Sequence, residues 1–99
     1  MVKHMVAWSY ADGFTSEENQ SNAEKAKKEL EGLKDLIEGI VSINVLIDPL
    51  ATSDSDILLD IVFESEEALN AYTIHPEHVR VGKFVRSVVK NRKCIDFHL

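Results

Sequence analysis

At 99 residues the chain is sized for one domain around one core, and its net charge of −6 argues against non-specific affinity for nucleic acid or an anionic membrane surface. Hydrophobic residues make up 44% and charged residues 28%, the balance of a soluble globular protein. The single cysteine, Cys94, excludes an intrachain disulfide. No basic-then-apolar leader opens the chain and no apolar run approaches ~18 residues, so a cytoplasmic protein is expected.

Val2 to Tyr10 is rich in β-formers and bounded by the turn signal Ala11-Asp12-Gly13. His4, Val6, Trp8 and Tyr10 share one face of this strand; Met5, Ala7 and Ser9 share the other. Thr15 and Glu18 fit a capping box, and a helix is predicted from Ser16 to Glu38 with Ala23, Ala26, Leu30, Leu33 and Ile37 in one apolar stripe. The charges beside that stripe, Lys27 and Glu31 among them, read as a solvated face with i,i+4 pairs. Gly39 is placed to end the helix in a left-handed turn.

Ile40 to Asp48 predicts a second strand, with Val41, Ile43, Val45 and Ile47 on one face. Ile57 to Phe63 is the third, with Ile57, Leu59, Ile61 and Phe63 facing one way. Ser65 reads as an N-cap before a short helix on which Ala68, Leu69 and Tyr72 share a face. Pro76 suits the first position of another helix, because it has no amide to leave unpaired, and His75 then flanks it. From Pro76 to Lys90 the residues Val81, Phe84, Val85, Val88 and Val89 occupy one arc, and His78 falls within it. Lys93 to Leu99 is the closing strand, with Cys94, Asp96 and His98 on one face and Ile95, Phe97 and Leu99 on the other.

The order β-α-β-β-α-β predicts an α+β, ferredoxin-like domain over residues 1–99, a four-stranded antiparallel sheet with helices on one face. Its open face is expected to carry Met5, Ala7, Leu46, Leu58, Val62 and Cys94, mixed with Asp60, Asp96 and His98. That much apolar surface favours a homodimer through the sheet face.

The candidate site lies on the covered side. His4 is assigned to the helix-facing side of the first strand, and Tyr72 and His78 come down onto it. A tyrosine and a histidine in an apolar pocket polarise a carbonyl and move a proton near neutral pH. The same residues also fit satisfied polar groups within a core, bonded to one another or to backbone. No HxxxH pair or carboxylate at ligand spacing points to a metal, and no cofactor is called for. His78 to Ile95 holds six basic residues and no acid, including Arg86 and Arg92; such a run is ordinarily a solvated helix face and otherwise attracts an anion.

His4, Phe63-Glu64-Ser65, Tyr72 followed by His75-Pro76-Glu77-His78, Phe84-Val85 and the closing Asp96-Phe97 together resemble the stress-responsive A/B barrel domain (Dabb) family over essentially the whole chain. The resemblance implies a dimeric α/β barrel. The family includes plant stress proteins, bacterial members without an assigned reaction, and a plant polyketide cyclase. In that cyclase the counterparts of Tyr72 and His78 are implicated in catalysis, and the counterpart of His4 lines the pocket. This chain departs from it at Ile57, where the cyclase has another pocket histidine, and lacks its aromatic residues in the first helix.

The expectation is therefore a dimeric barrel that binds a small apolar, carbonyl-bearing metabolite. Tyr72 and His78 are the candidate acid/base residues, and His4, Val6, Trp8, Tyr10, Ile57, Leu59, His75 and Val81 the candidate ligand-binding set. The alternatives are a cyclase- or isomerase-like enzyme and a non-catalytic stress-response protein.

Overall fold

In the computed structural model, which describes residues 1–99, β1 spans Val2–Tyr10 and buries Val2, His4, Val6 and Trp8 in strict alternation. Helix α1 follows over Ser16–Glu31, then a single 3₁₀ stretch over Gly32–Asp35. Strands β2 (Ile40–Leu46) and β3 (Ile57–Phe63), helices α2 (Glu66–Ile74) and α3 (Pro76–Val88) and strand β4 (Val89–His98) complete the chain. The sheet order is β2-β3-β1-β4 with every neighbouring pair antiparallel, the ferredoxin-like arrangement. No helix is long and apolar enough to cross a membrane.

The capping box forms as expected: Glu18 N–H donates to Thr15 Oγ1 and Thr15 N–H to the Glu18 carboxylate. Ala23, Ala26, Leu30, Leu33 and Ile37 are all buried, yet the α-helix stops at Glu31, seven residues before its predicted end. Gly32 closes it, and the tighter 3₁₀ turn keeps Leu33 on the core side. Gly39 does take a left-handed conformation (φ +90°), but as the entry to β2. A Cβ there would lie 2.6 Å from Ala68 Cβ, so the residue also lets α2 approach the sheet.

Two irregularities reassign side chains to faces. In β2, Ile40 pairs with Phe63 but Ser42 with Val62, so Val41 is an extra residue. Ile40, not Val41, therefore shares the buried face with Ile43 and Val45. In β4 the ladder pairs Lys90 with Ser9 and Lys93 with Ala7, leaving Asn91 and Arg92 against the single Trp8. Asn91 absorbs the extra residue at φ 55°, a conformation asparagine tolerates better than most residues. Beyond the bulge Cys94 opposes Val6, Asp96 opposes His4 and His98 opposes Val2. The expected open-face placement of Cys94, Asp96 and His98 is thus reversed: they lie on the helix side, while Ile95 and Phe97 join Met5 and Lys3 on the open face.

The charges of α1 are not merely solvated. Lys27 Nζ donates to the Val45 carbonyl at 2.6 Å and to Glu31 at 2.7 Å, and Val45 N–H donates to the Glu31 carboxylate at 2.9 Å. The pair occupies backbone groups on the outer edge of β2, which has no strand neighbour on that side.

Candidate functional site

A cavity of about 320 Å³ opens between the sheet and the helices. Its floor is His4, Val6 and Trp8 of β1 with Leu59 of β3, and Leu30 of α1 forms a wall. Tyr72 and Thr73 come from the end of α2; His78, Gly82, Val85 and Arg86 from α3; and Arg92 from β4. The size falls at the lower end of the range for small-molecule sites, and the mix of apolar walls with a few convergent polar groups is typical of them.

The geometry originates at the helix break. His75 adopts the extended conformation required before proline, and its Nδ1 accepts the Glu77 N–H at 3.1 Å. An imidazole thus serves as the N-cap of α3. The abrupt turn stacks the first turn of α3 against the end of α2, with the rings of Tyr72 and His78 4.1 Å apart between centroids. Tyr72 also packs on Phe63 at 5.1 Å and meets His4 edge-on at 6.1 Å.

Three polar groups differ in how they are satisfied. His4, buried, bonds through Nδ1 to the Asp96 carboxylate across the β1–β4 ladder. His78, half-buried, donates from Nδ1 to the Thr73 carbonyl at 3.2 Å, leaving Nε2 as the basic nitrogen. Burial holds its pKa below the ordinary histidine value, opposed by the Thr73 bond and reinforced by the charges of His4, Arg86 and Arg92. His78 is therefore a neutral base at neutral pH. Tyr72 is 1% exposed, and its hydroxyl is buried with no hydrogen-bond partner on the protein. Burial raises its pKa far above the usual phenol range, only partly offset by Arg92, so it stays a proton donor.

Of the residues expected from sequence, the cavity brings together Tyr72, His78, His4, Val6, Trp8 and Leu59. It does not include Tyr10, Ile57, His75 or Val81. Tyr10 lies past Trp8 at the end of β1, where Asp56 holds its amide at 2.8 Å. Ile57 and Val81 are packed into the solid core, 2% and 0% exposed. His75 is occupied as the cap. Sequence reasoning missed Leu30, Thr73, Gly82, Val85, Arg86, Arg92 and the Asp96 partner of His4. Arg86 and Arg92 belong to the acid-free basic run, which was the available signal; the Asp96 contact depends on the β4 bulge, which left none.

His4 Nδ1, Cys94 Sγ and the Asp96 carboxylate also lie within 4.8 Å of one another, a donor set that sequence spacing could not reveal because two strands contribute it. The Cys94 thiol is 3.7 Å from both partners, and burial, then the Asp96 charge, pushes its pKa up. A divalent ion held there would have to displace that proton and open the His4–Asp96 bond.

A two-layer α+β fold with a tyrosine–histidine cavity between its layers defines the class. The chain belongs to the family of the Stress responsive A/B Barrel Domain, whose model matches residues 2–99. Among solved structures it is similar to a dimeric ferredoxin-like protein of unknown function from Bacteroides fragilis, at 28% identity over 99% of this chain and 95% of that one, with a TM-score of 0.91. It is also similar to At3g17210 from Arabidopsis thaliana, at 25% identity over 100% and 95% of the two chains and a TM-score of 0.83. A Dabb family protein from Mesorhizobium loti shares the fold at 23% identity, 99% and 95% coverage and a TM-score of 0.75. No curated protein matches the chain.

Proposed function

We propose that the protein is a homodimer whose cavity binds a small apolar metabolite bearing a carbonyl group, and that Tyr72 and His78 enolise it. The observation that carries this reading is the Tyr72 hydroxyl, a buried donor without a protein partner, beside a neutral imidazole with a free Nε2. Buried polar groups ordinarily find partners, and a ligand carbonyl in the cavity supplies one. Tyr72 Oη–H donates to the carbonyl oxygen while His78 Nε2 takes the proton from the adjacent carbon. The enolate then carries its charge on the oxygen that Tyr72 holds. Such a step is shared by isomerases and by aldol-type cyclases of the kind the resembled plant enzyme represents. The cavity residues identified above replace the broader candidate set.

A second reading is a non-catalytic barrel that holds a ligand or acts through stability under stress. The hydrogen bonds of His4 to Asp96 and of His78 to Thr73 favour it, since both satisfy these histidines without a substrate. Dimerisation is supported by the open sheet face, where Leu46, Ile95 and Phe97 are 53%, 62% and 41% exposed, and by the dimeric Bacteroides fragilis neighbour. The one unpaired cysteine fits a cytoplasmic setting.

Hydrogen–deuterium exchange at the α-carbon of a panel of apolar ketones and keto acids, followed by proton NMR, separates the readings. Catalysed exchange that falls at least about a hundredfold in His78→Ala and Tyr72→Phe supports acid/base action. Exchange unaffected by both substitutions removes these residues from the chemistry.

A further inference from the structure

We propose that the ligand of this cavity carries a carboxylate, gripped at the cavity mouth by Arg86 and Arg92; the proposal rests on the cavity being a ligand site and specifies the chemistry of its occupant. Both arginines line the cavity, and no aspartate or glutamate does. Of the other cations in the basic run, Arg80 pairs with Glu77 and Glu29 and Lys90 with Asp12, while Lys83 and Lys93 make no ion pair and do not line the cavity. Arg86 and Arg92 take part in no ion pair, although the chain has 17 acidic residues against 11 Lys and Arg. The carboxylate nearest the floor, Asp96, is held by His4.

Both guanidiniums are therefore available to an anion that enters the cavity. Local structure brings them there. A Cβ on Gly82 would stand 3.0 Å from Arg86 Nη1, so the exposed guanidinium lies back over that glycine, one helical turn before it. Arg92 is turned to the same side by the bulge at Asn91. They approach from α3 and β4, while Val6, Leu30 and Leu59 add apolar lining from β1, α1 and β3.

That combination defines an amphipathic ligand, with an apolar body among the aliphatic side chains and an anionic head at the arginines. A carboxylate suits two planar forks, each able to offer paired N–H donors. A phosphate dianion has a third oxygen for which the site offers no further cation, since His78 is neutral. The head group also orients the ligand, so that a carbonyl further along its chain meets Tyr72 and His78.

The test is calorimetric titration of 4-oxononanoic acid, its methyl ester and octyl phosphate into wild type and into the Arg86→Gln/Arg92→Gln variant. Trp8, the only tryptophan and part of the cavity floor, serves as a fluorescent check that binding occurs there. The expected result is an acid bound at least about tenfold more tightly than its ester by wild type, with that preference abolished in the variant. Both arginines are exposed, so the variant retains the core, and an unchanged melting temperature verifies it. Equal affinity for acid and ester, or a preference that survives in the variant, overturns the carboxylate grip while leaving a ligand cavity standing. Tighter binding of octyl phosphate than of the acid also overturns it. Binding of none of the three, with Trp8 unperturbed, overturns both this proposal and the reading beneath it.

Discussion

Tyr72 is buried against its neighbours while its hydroxyl has no partner on the protein, and the two features separate by substitution. An unsatisfied buried hydroxyl costs about 1–3 kcal/mol relative to an apolar group of the same shape. Tyr72→Phe keeps the contacts with Phe63 and His78, so urea unfolding of the ligand-free protein is expected to show stability unchanged or raised by about 1 kcal/mol. A loss of more than that would mean the hydroxyl is structurally bonded. His78 makes a prediction in pH. Its folded-state pKa is depressed, so the native state holds fewer protons than the unfolded chain in the window below the ordinary histidine value. Its contribution is complete above about 6.5 and fades as pH falls through the folded pKa. The stability lost between pH 7 and pH 5 should therefore be smaller in His78→Gln than in wild type. An identical loss in both proteins would remove His78 as a contributor. Both residues were legible from sequence because helical spacing and the Pro76 break fix their directions. Tyr10, Ile57 and Val81 were not separable from them, because facing inward does not distinguish a cavity wall from solid core.

At the scale of elements, the clasp on β2 has a clear consequence. Burial alone would raise the Glu31 carboxyl, but the bonds from Lys27 and Val45 prevail and hold it below the ordinary range. Glu31→Gln removes the charge from all of these bonds, and Lys27→Met removes the bond to the Val45 carbonyl. Either is expected to lower stability by about 1 kcal/mol and to speed hydrogen exchange of the Val45 amide. Exchange at Val45 that is unchanged in both variants would show that the strand edge holds itself. Sequence periodicity recovered every α-helix and strand and the α1 stripe, though it began β4 at Lys93 rather than Val89 and missed the 3₁₀ turn, and it read this clasp as an ordinary solvated pair. The reason is that an i,i+4 pair looks the same in sequence whether or not a strand edge lies within reach. The end of α1 was overrun for a related reason: Leu33 and Ile37 keep a helical spacing to the core even though a tighter turn carries them.

For the whole molecule, correcting β4 strengthens the case for a partner. With Ile95 and Phe97 in place of Cys94, Asp96 and His98, the open face is more apolar than sequence alternation alone predicted. Met5, Ala7, Leu58 and Ile95 border a shallow apolar depression there. A surface of this kind on a small domain is ordinarily covered. Leu58→Lys combined with Ile95→Lys places charges at its centre without touching the helix-side core. Light scattering at micromolar concentration should register a dimer mass for wild type and a monomer mass for the double variant. A monomeric wild type would end the sheet-face model. The net charge of −6 sets the salt dependence: added salt screens the repulsion between two acidic copies, so dimerisation should tighten with ionic strength.

The bulge at Asn91 keeps the reading frame of β4. Without it, and with the same number of residues, Cys94 would slide opposite Met5, and the side chains beyond would exchange faces. Arg92 and Asp96 would turn outward, and Ile95 and Phe97 inward. Deleting Asn91 leaves Arg92 opposite Trp8 and every later pair as it is. An in-frame deletion inside a strand should therefore be tolerated better than Asn91→Val, which keeps the length but resists the left-handed backbone at φ 55°. Comparing the melting temperatures and ligand binding of the two variants checks this. A chain that kept its length at this point but lost the bulge would exchange an arginine-lined cavity for an oily one, so the polarity of the site is set by parity as much as by composition.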